Sequence, residues 1–160
     1  MIFNRETILE FFDKKGIKYE SVDHPAVLTM ETLLENPLPH TETLAKNLFV
    51  RNDKKTGYYL ISCHEEKQIK MKDFQHEFGL RHLSFASEDD LAAKMHLKRG
   101  AVTPLGALNN EECDVEVFID KDYKGKMIGV PACDNDRTVY LDADDVVKLL
   151  QEHGNKVQYF

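Results

Sequence analysis

Lys46-Asn47-Leu48-Phe49-Val50-Arg51-Asn52-Asp53-Lys54-Lys55-Thr56-Gly57-Tyr58-Tyr59-Leu60-Ile61 is the stretch on which the fold turns. Leu48-Phe49-Val50 and Tyr58-Tyr59-Leu60-Ile61 are β-prone runs, and the segment between them is polar, with Asn52-Asp53 and a closing glycine. Two such runs joined by a short polar connection predict a hairpin and the nucleus of a sheet. Lys46 directly precedes the first run. At that border a rigid strand presents a cation to a cleft, or else a strand-edge lysine simply discourages aggregation.

Outward from the hairpin, helix and strand alternate irregularly. Asn4 as N-cap, Ile8, Leu9, Phe11 and Phe12 at helical spacing and Lys14-Lys15-Gly16 as a basic last turn with a glycine stop predict a first helix. A short strand follows over Ile17 to Val22, and Thr29 opens a helix through Leu34 that Asn36-Pro37-Leu38-Pro39 ends. Beyond the hairpin, Lys70 to Phe78 reads as a helix stopped by Gly79, and Leu83-Ser84-Phe85 as a brief strand. Ser87 with Asp90 forms an acidic capping box for a helix through Leu91 and Met95. Gly100 to Gly106 holds two glycines and Pro104 and is expected to lack regular structure. Strands are expected at Val115 to Ile119, Met127 to Val130 and Thr138 to Leu141, and a last helix from Asp142 to Gly154. The expected class is α+β, a mixed, mostly antiparallel sheet surrounded by helices.

With 160 residues, 42% of them hydrophobic, the chain suffices for one core and is short for two, so one domain over 1–160 is expected. No apolar run reaches the roughly 18 residues that cross a bilayer, and the first residues lack the apolar stretch of a secretory signal. A cytoplasmic protein with no membrane association is the expectation. The three cysteines are widely spaced without a C-x-x-C pair and are expected to be reduced. A net charge of -7 argues against a general nucleic-acid coat, because non-specific binding neutralises many phosphates. Basic residues nevertheless gather at Lys46, Arg51, Lys54 and Lys55 and again at Lys67, Lys70 and Lys72, and one basic edge could hold the end of an RNA.

The search for catalytic signatures is mostly negative. G-x-S-x-G, Walker, H-E-x-x-H and H-x-E with P-C-x-x-C patterns are absent, and the seven histidines lack metal-ligand spacing. Cys63-His64 is adjacent, but neighbours on a strand point to opposite faces, which disfavours a Cys-His pair. The Gly100 to Gly106 loop is either a tight connection or a source of N–H donors for an oxyanion or a phosphate. Asp134-Asn135-Asp136 either orients a substrate or forms an Asx turn.

Four strings, taken in order, resemble one family. His24-Pro25-Ala26-Val27-Leu28-Thr29 looks like a His-Pro-x-x-x-Thr segment, and Lys46-Asn47-Leu48-Phe49-Val50-Arg51 like a lysine-bearing strand. Leu83-Ser84-Phe85-Ala86 looks like a turn placed before a helix, and Gly100-Ala101-Val102-Thr103-Pro104-Leu105-Gly106 like a G-x-V-T-P-x-G loop. The family is that of the YbaK/ProX-type aminoacyl-tRNA deacylases, related to the editing domain inserted in bacterial prolyl-tRNA synthetases; the nearest resemblance is to its single-domain ProX and PrdX-type members, which deacylate tRNA(Pro) carrying alanine.

The resemblance implies an ester hydrolase without cofactor or metal. Lys46 would contact the tRNA 3′ end or the aminoacyl ester, with Asn47 in support and Thr29 among the substrate-binding residues. Gly100, Thr103, Pro104 and Leu105 would shape the amino-acid pocket, and backbone donors near Gly106 would stabilise the transition state. Asn135 and Thr138 match the end of a His-Pro-x-x-Asn-x-x-Thr stretch whose first two places are filled here by Pro131 and Ala132. The implied substrate is Ala-tRNA(Pro). Cys-tRNA(Pro) or another small aminoacyl-tRNA is the alternative substrate, and a non-catalytic tRNA- or synthetase-binding accessory is the alternative class. The implied partners are the aminoacyl-tRNA 3′ end and, as donor of the tRNA, prolyl-tRNA synthetase or an elongation factor.

Overall fold

The computed structural model describes residues 2–26, 35 and 37–160. The helix expected from Thr29, and Thr29 itself, lie outside the described residues. The predicted hairpin forms: β2 (Ala45–Asn52) pairs antiparallel with β3 (Tyr58–His64), setting Lys46 opposite Cys63, Asn47 opposite Ser62 and Phe49 opposite Leu60. Its loop is closed by one side chain. The Asn52 Oδ1 accepts the Thr56 N–H at 2.9 Å and its Nδ2 donates to Thr56 Oγ1 at 3.0 Å, while Gly57 leaves room where a Cβ would sit 2.4 Å from the Tyr59 hydroxyl.

Alternation along β2 divides its side chains between two layers. Phe49 faces the main core with Tyr58, Leu60, Leu105, Val117 and Leu150, whereas Val50 and Ile61 face a smaller core built with Phe74, Leu83 and Phe118. Burial on both faces suits a mixed five-stranded sheet in which β2 and β3 are both inner strands. There β4 (Leu83–Phe85) is antiparallel to β2, while β5 (Val115–Ile119) runs parallel to β3 and β8 (Val157–Tyr159) parallel to β5. β8 is an element the sequence pattern does not reveal; three residues are too few for a period to emerge.

A second, antiparallel sheet has the order β1-β7-β6, from β1 (Tyr19–Asp23), β7 (Arg137–Asp142) and β6 (Met127–Pro131). The sheets meet where Leu44 bridges Gly129 in parallel. The helices α1 (Thr7–Lys15), α3 (Glu88–Met95) and α4 (Ala143–His153) pack residues such as Phe12, Met95 and Val146 into the main core, and α2 (Met71–Glu77) covers the smaller one through Phe74.

The helix ends obey the expected chemistry with one exception. Asn4 Oδ1 accepts the N–H groups of Glu6 and Thr7, both at 2.9 Å, and the Ser87–Asp90 capping box is present in both directions. Asp142, by contrast, precedes α4 without a side-chain cap bond. The expectation for Gly100 to Gly106 needs correction: Pro104–Asn109 is a buried 3-10 helix. Proline at its first turn costs no hydrogen bond, and Thr103 caps it by accepting the Leu105 N–H, so the residues read as breakers start an element. Among the described residues no helix is long and apolar enough to cross a membrane.

Candidate active site

The first half of β2 lies beyond the reach of β4, whose pairing begins at Val50 and is extended only by the Ala86 N–H donating to Phe49 O. Asn47 therefore carries its backbone polar groups on an open edge. A groove of about 460 Å³ runs along that edge, lined by Asn47, Phe49, Phe85, Leu91, Arg99 and Val102 among others. Three of the strings singled out in the sequence thus contribute to one cleft. The Val102 N–H has no hydrogen-bond partner among the described residues.

Asn47 turns its side chain toward the core side, where its Oδ1 accepts the Ser62 hydroxyl at 2.7 Å. Ser62 is fully buried, so the bond fixes the amide at the groove wall. Lys46 points the other way. Its ammonium donates to the Lys67 carbonyl at 2.7 Å, and the Lys67 ammonium in turn donates to Asp120 Oδ1 at 2.8 Å. The Asp120 carboxylate is wholly buried and also accepts the N–H groups of His64 and Asp122, at 3.1 and 3.0 Å. Burial would raise its pKa; the Lys67 ammonium and those two N–H groups outweigh it and hold the carboxyl below the usual range. A buried charge thus fixes the carbonyl that holds the Lys46 ammonium. Cys63, opposite Lys46, is fully buried, and burial pushes its thiol pKa up, which disfavours the thiolate there.

The parallel bridge from Leu44 to Gly129 links this face to the second sheet. Beyond that bridge, Ile128 and Val130 enter the main core, which turns Pro131 to the other side of β6. Pro131 lies opposite Thr138. The ring over Thr138 belongs to His24, whose Nε2 is 2.9 Å from Thr138 Oγ1 and whose Nδ1 is 2.9 Å from the Pro25 carbonyl. A carbonyl only accepts, which assigns the proton to Nδ1 and leaves Nε2 to accept the threonine hydroxyl in the neutral ring.

The remaining predicted residues are divided. Gly100, at φ 86°, stands beside Asn135, the Asn135 Cβ being 4.0 Å from where a Gly100 Cβ would lie, so loop and Asn135 do meet. Asn135 donates its N–H to Asp134 Oδ1 at 2.8 Å, and Asp134 pairs with Lys98 at 3.1 Å. Thr103, Pro104, Leu105 and Gly106 are buried. The Gly106 N–H is committed to the Thr103 carbonyl at 3.1 Å, and a Cβ there would lie 2.4 Å from Leu97 Cδ1. These four shape the loop from beneath and are not brought into contact with Lys46.

Sequence reasoning missed Ser62, Asp120 and Lys67 as supports of the site. An aspartate ending the apolar run Val115 to Ile119 was a signal of sorts; nothing local pairs it with a lysine 53 positions away. Of the basic clusters, Arg51 is drawn to Asp90 at 3.8 Å, and Lys67, Lys70 and Lys121 share a second groove, of about 440 Å³, with Asp73 and Glu77. No set of three or more His, Cys, Asp or Glu side chains suited to a metal occurs among the described residues.

An open strand edge, a fixed ammonium, an apolar groove and a backbone N–H without a partner among the described residues suit the class of hydrolase site that works by polar stabilisation. Comparison with known proteins gives it a family. Residues 24–149 match the model of the aminoacyl-tRNA editing domain. The chain is 34% identical over 152 residues to the prolyl-tRNA editing protein ProX of Acetoanaerobium sticklandii, across 94% of this chain and 93% of that protein. It is also 34% identical over 111 residues to prolyl-tRNA synthetase associated domain-containing protein 1 of Bos taurus, across 66% of this chain and 62% of that one. A crystal structure of a protein proposed as a trans-editing enzyme for prolyl tRNA synthetase superposes with a TM-score of 0.69 at 14% identity, over 99% of this chain and 98% of that one, which shows a shared fold. The chain belongs to the aminoacyl-tRNA editing domain family. It is an aminoacyl-tRNA deacylase that edits misacylated tRNA.

Proposed function

We propose that the substrate is alanyl-tRNA(Pro) and that all of 1–160 forms one editing domain acting in the cytoplasm, supplied with tRNA by prolyl-tRNA synthetase or an elongation factor. The observation that carries the reading is the ammonium of Lys46, held by the Lys67 carbonyl beside the open edge of β2. There it anchors the tRNA 3′ end and offsets charge developing on the ester carbonyl. Asn47 lines the approach, Asn135 and Thr138 complete the surround, and Thr29, outside the described residues, is assigned to substrate binding from the family resemblance alone. The Gly100 to Leu105 segment shapes the pocket, with Gly106 setting its path and the Val102 N–H, which has no partner among the described residues, as a donor.

Water attacks the carbonyl carbon, the bond to the ribose oxygen breaks, and that oxygen takes the proton. An activated ester needs little beyond positioning and oxyanion stabilisation, and the neighbouring ribose hydroxyl can shuttle the proton. Discrimination by volume separates amino acids one methylene apart by only about 10- to 200-fold, which is why a small-residue sieve is useful after synthesis errors. Pro131, where the family pattern carries a histidine, favours cysteinyl-tRNA(Pro) as second reading through its effect on pocket shape.

The test is deacylation of alanyl-, cysteinyl- and seryl-tRNA(Pro) by wild type and Lys46→Ala. Alanyl ester is expected to be cleaved fastest, and the variant to lose about 10²-fold or more in rate, the usual cost of one preorganised electrostatic group. Wild type that leaves every ester intact, or a variant that matches it, refutes the proposal.

A further inference from the structure

Phe85 is held in solvent by structure on both sides. It ends β4 opposite Val50, the next residue donates its N–H to Phe49 O, and Ser87 then caps α3, so the chain has no freedom to draw the ring inward. Its relative exposure is 65%, and the only other large hydrophobic so exposed among the described residues is Ile2. A single exposed apolar side chain needs no explanation. This one, however, forms the rim of the 460 Å³ groove that Asn47, Arg99 and Val102 also line.

Pairing puts Phe85 on the same face of the sheet as Val50, hence as Leu48 and Lys46. Four steps along the strand lead from Val50 to Lys46, about 13 Å at the usual rise. The base of an aminoacylated nucleotide is attached to the very ribose that carries the ester. If Lys46 holds that ester, a flat apolar surface for the base must lie within about this distance on the same face, and the ring of Phe85 with Leu48 beside it is such a surface. Arg99 also lines this groove, tied at 3.3 Å to an exposed Glu88, a surface pair that a phosphate can readily displace.

The geometry points to Phe85 as the stacking platform for the 3′-terminal adenine of the tRNA, with Arg99 taking the adjoining phosphate; this rests on the reading of Lys46 as the ester anchor. Stacking on an aromatic face tolerates any tRNA, which suits an enzyme whose amino-acid sieve lies elsewhere.

The chain has no tryptophan, so Phe85→Trp creates a single fluorescent reporter. Its emission should be quenched by uncharged tRNA(Pro) and not by the same tRNA lacking the terminal adenosine. In parallel, Phe85→Ala should raise KM for aminoacyl-tRNA about tenfold or more, Phe85→Tyr should restore it, and the melting temperature should stay unchanged because the ring is exposed. Equal quenching by the truncated tRNA, or an unaltered KM in the alanine variant, overturns the assignment, as does an emission that responds to prolyl-tRNA synthetase alone. Failure of the wild type on alanyl-tRNA(Pro) would instead strike the proposed substrate, since the quenching is read without any amino acid attached.

Discussion

Lys46-Asn47 and Thr103 to Gly106 both stood out in the sequence as chemistry, and the fold treats them oppositely. The first pair sits on an open strand edge, half-buried, one side chain to each face, each fixed by a single strong bond to a deeper group. The second stretch is buried, its donors at Leu105 and Gly106 already spent on Thr103. A site needs groups that are fixed yet unsatisfied toward the substrate, and on the proposed reading Lys46 and Asn47 supply them. The second supplies the floor. The difference predicts that damage to the Lys46 neighbourhood lowers activity in a folded protein, whereas damage to the 3-10 helix lowers stability and leaves the folded fraction competent.

Asp120→Asn should have the largest effect, because it touches both quantities. Loss of the carboxylate leaves the Lys67 ammonium without its counter-charge and the Lys67 carbonyl without its tether. Removing one partner of a buried pair costs about 3–5 kcal/mol, and with 31% of the Lys67 side chain exposed the lower end is expected, read as a shift in urea midpoint. The sign with pH follows from the depressed carboxyl. Its contribution is fully present above the unfolded-state value near 3.9 and is lost as pH falls through the lower folded-state value. The wild type should therefore lose stability in acid more steeply than Asp120→Asn. If deacylation per folded molecule also drops several-fold, Asp120 positions Lys46; if it is unchanged, the chain of bonds to Lys46 is dispensable.

Gly106→Ala comes next. The new methyl meets Leu97 Cδ1 at 2.4 Å and Leu97 Cγ at 3.1 Å, so the leucine must shift within a filled core, at about 1–3 kcal/mol. A lowered melting temperature with normal deacylation below it sustains the contrast between the two regions. A variant that stays folded and yet loses tenfold in rate would return the loop to the chemistry and erase the contrast.

Much of this was legible from local pattern. The hairpin, α1 with its asparagine cap, the Ser87–Asp90 box and the order of the later strands depend on neighbours within a few positions, and those interactions are written in the sequence. What was illegible depends on pairs far apart. The bond from Lys67 to Asp120 spans 53 positions and that from His24 to Thr138 spans 114, and no periodicity announces either. Breaker residues misled at Pro104 because the rule that proline ends a helix inverts at a first turn. Lys46 was singled out in the sequence by resemblance, and its direction, toward Lys67 and away from the Asn47 side, is a property of strand alternation once the register is known.

Ser62→Ala is the smallest of the perturbations and the sharpest on the open edge itself. The serine hydroxyl donates to Asn47 Oδ1 at 2.7 Å and is the sole side-chain tether of that amide to β3. An alanine removes the donor with almost no change of volume, at about 0.5–1.5 kcal/mol. The Asn47 oxygen is only half-buried and can turn to water, so the stability loss should fall toward the lower figure. The informative readout is kinetic. With the amide released at the groove wall, KM for aminoacyl-tRNA should rise a few-fold, since Lys46 and its support from Lys67 are untouched on the other face. Should kcat fall instead while KM holds, Asn47 would be engaged with the reacting ester itself, and the division between the two faces of β2 would have to be redrawn.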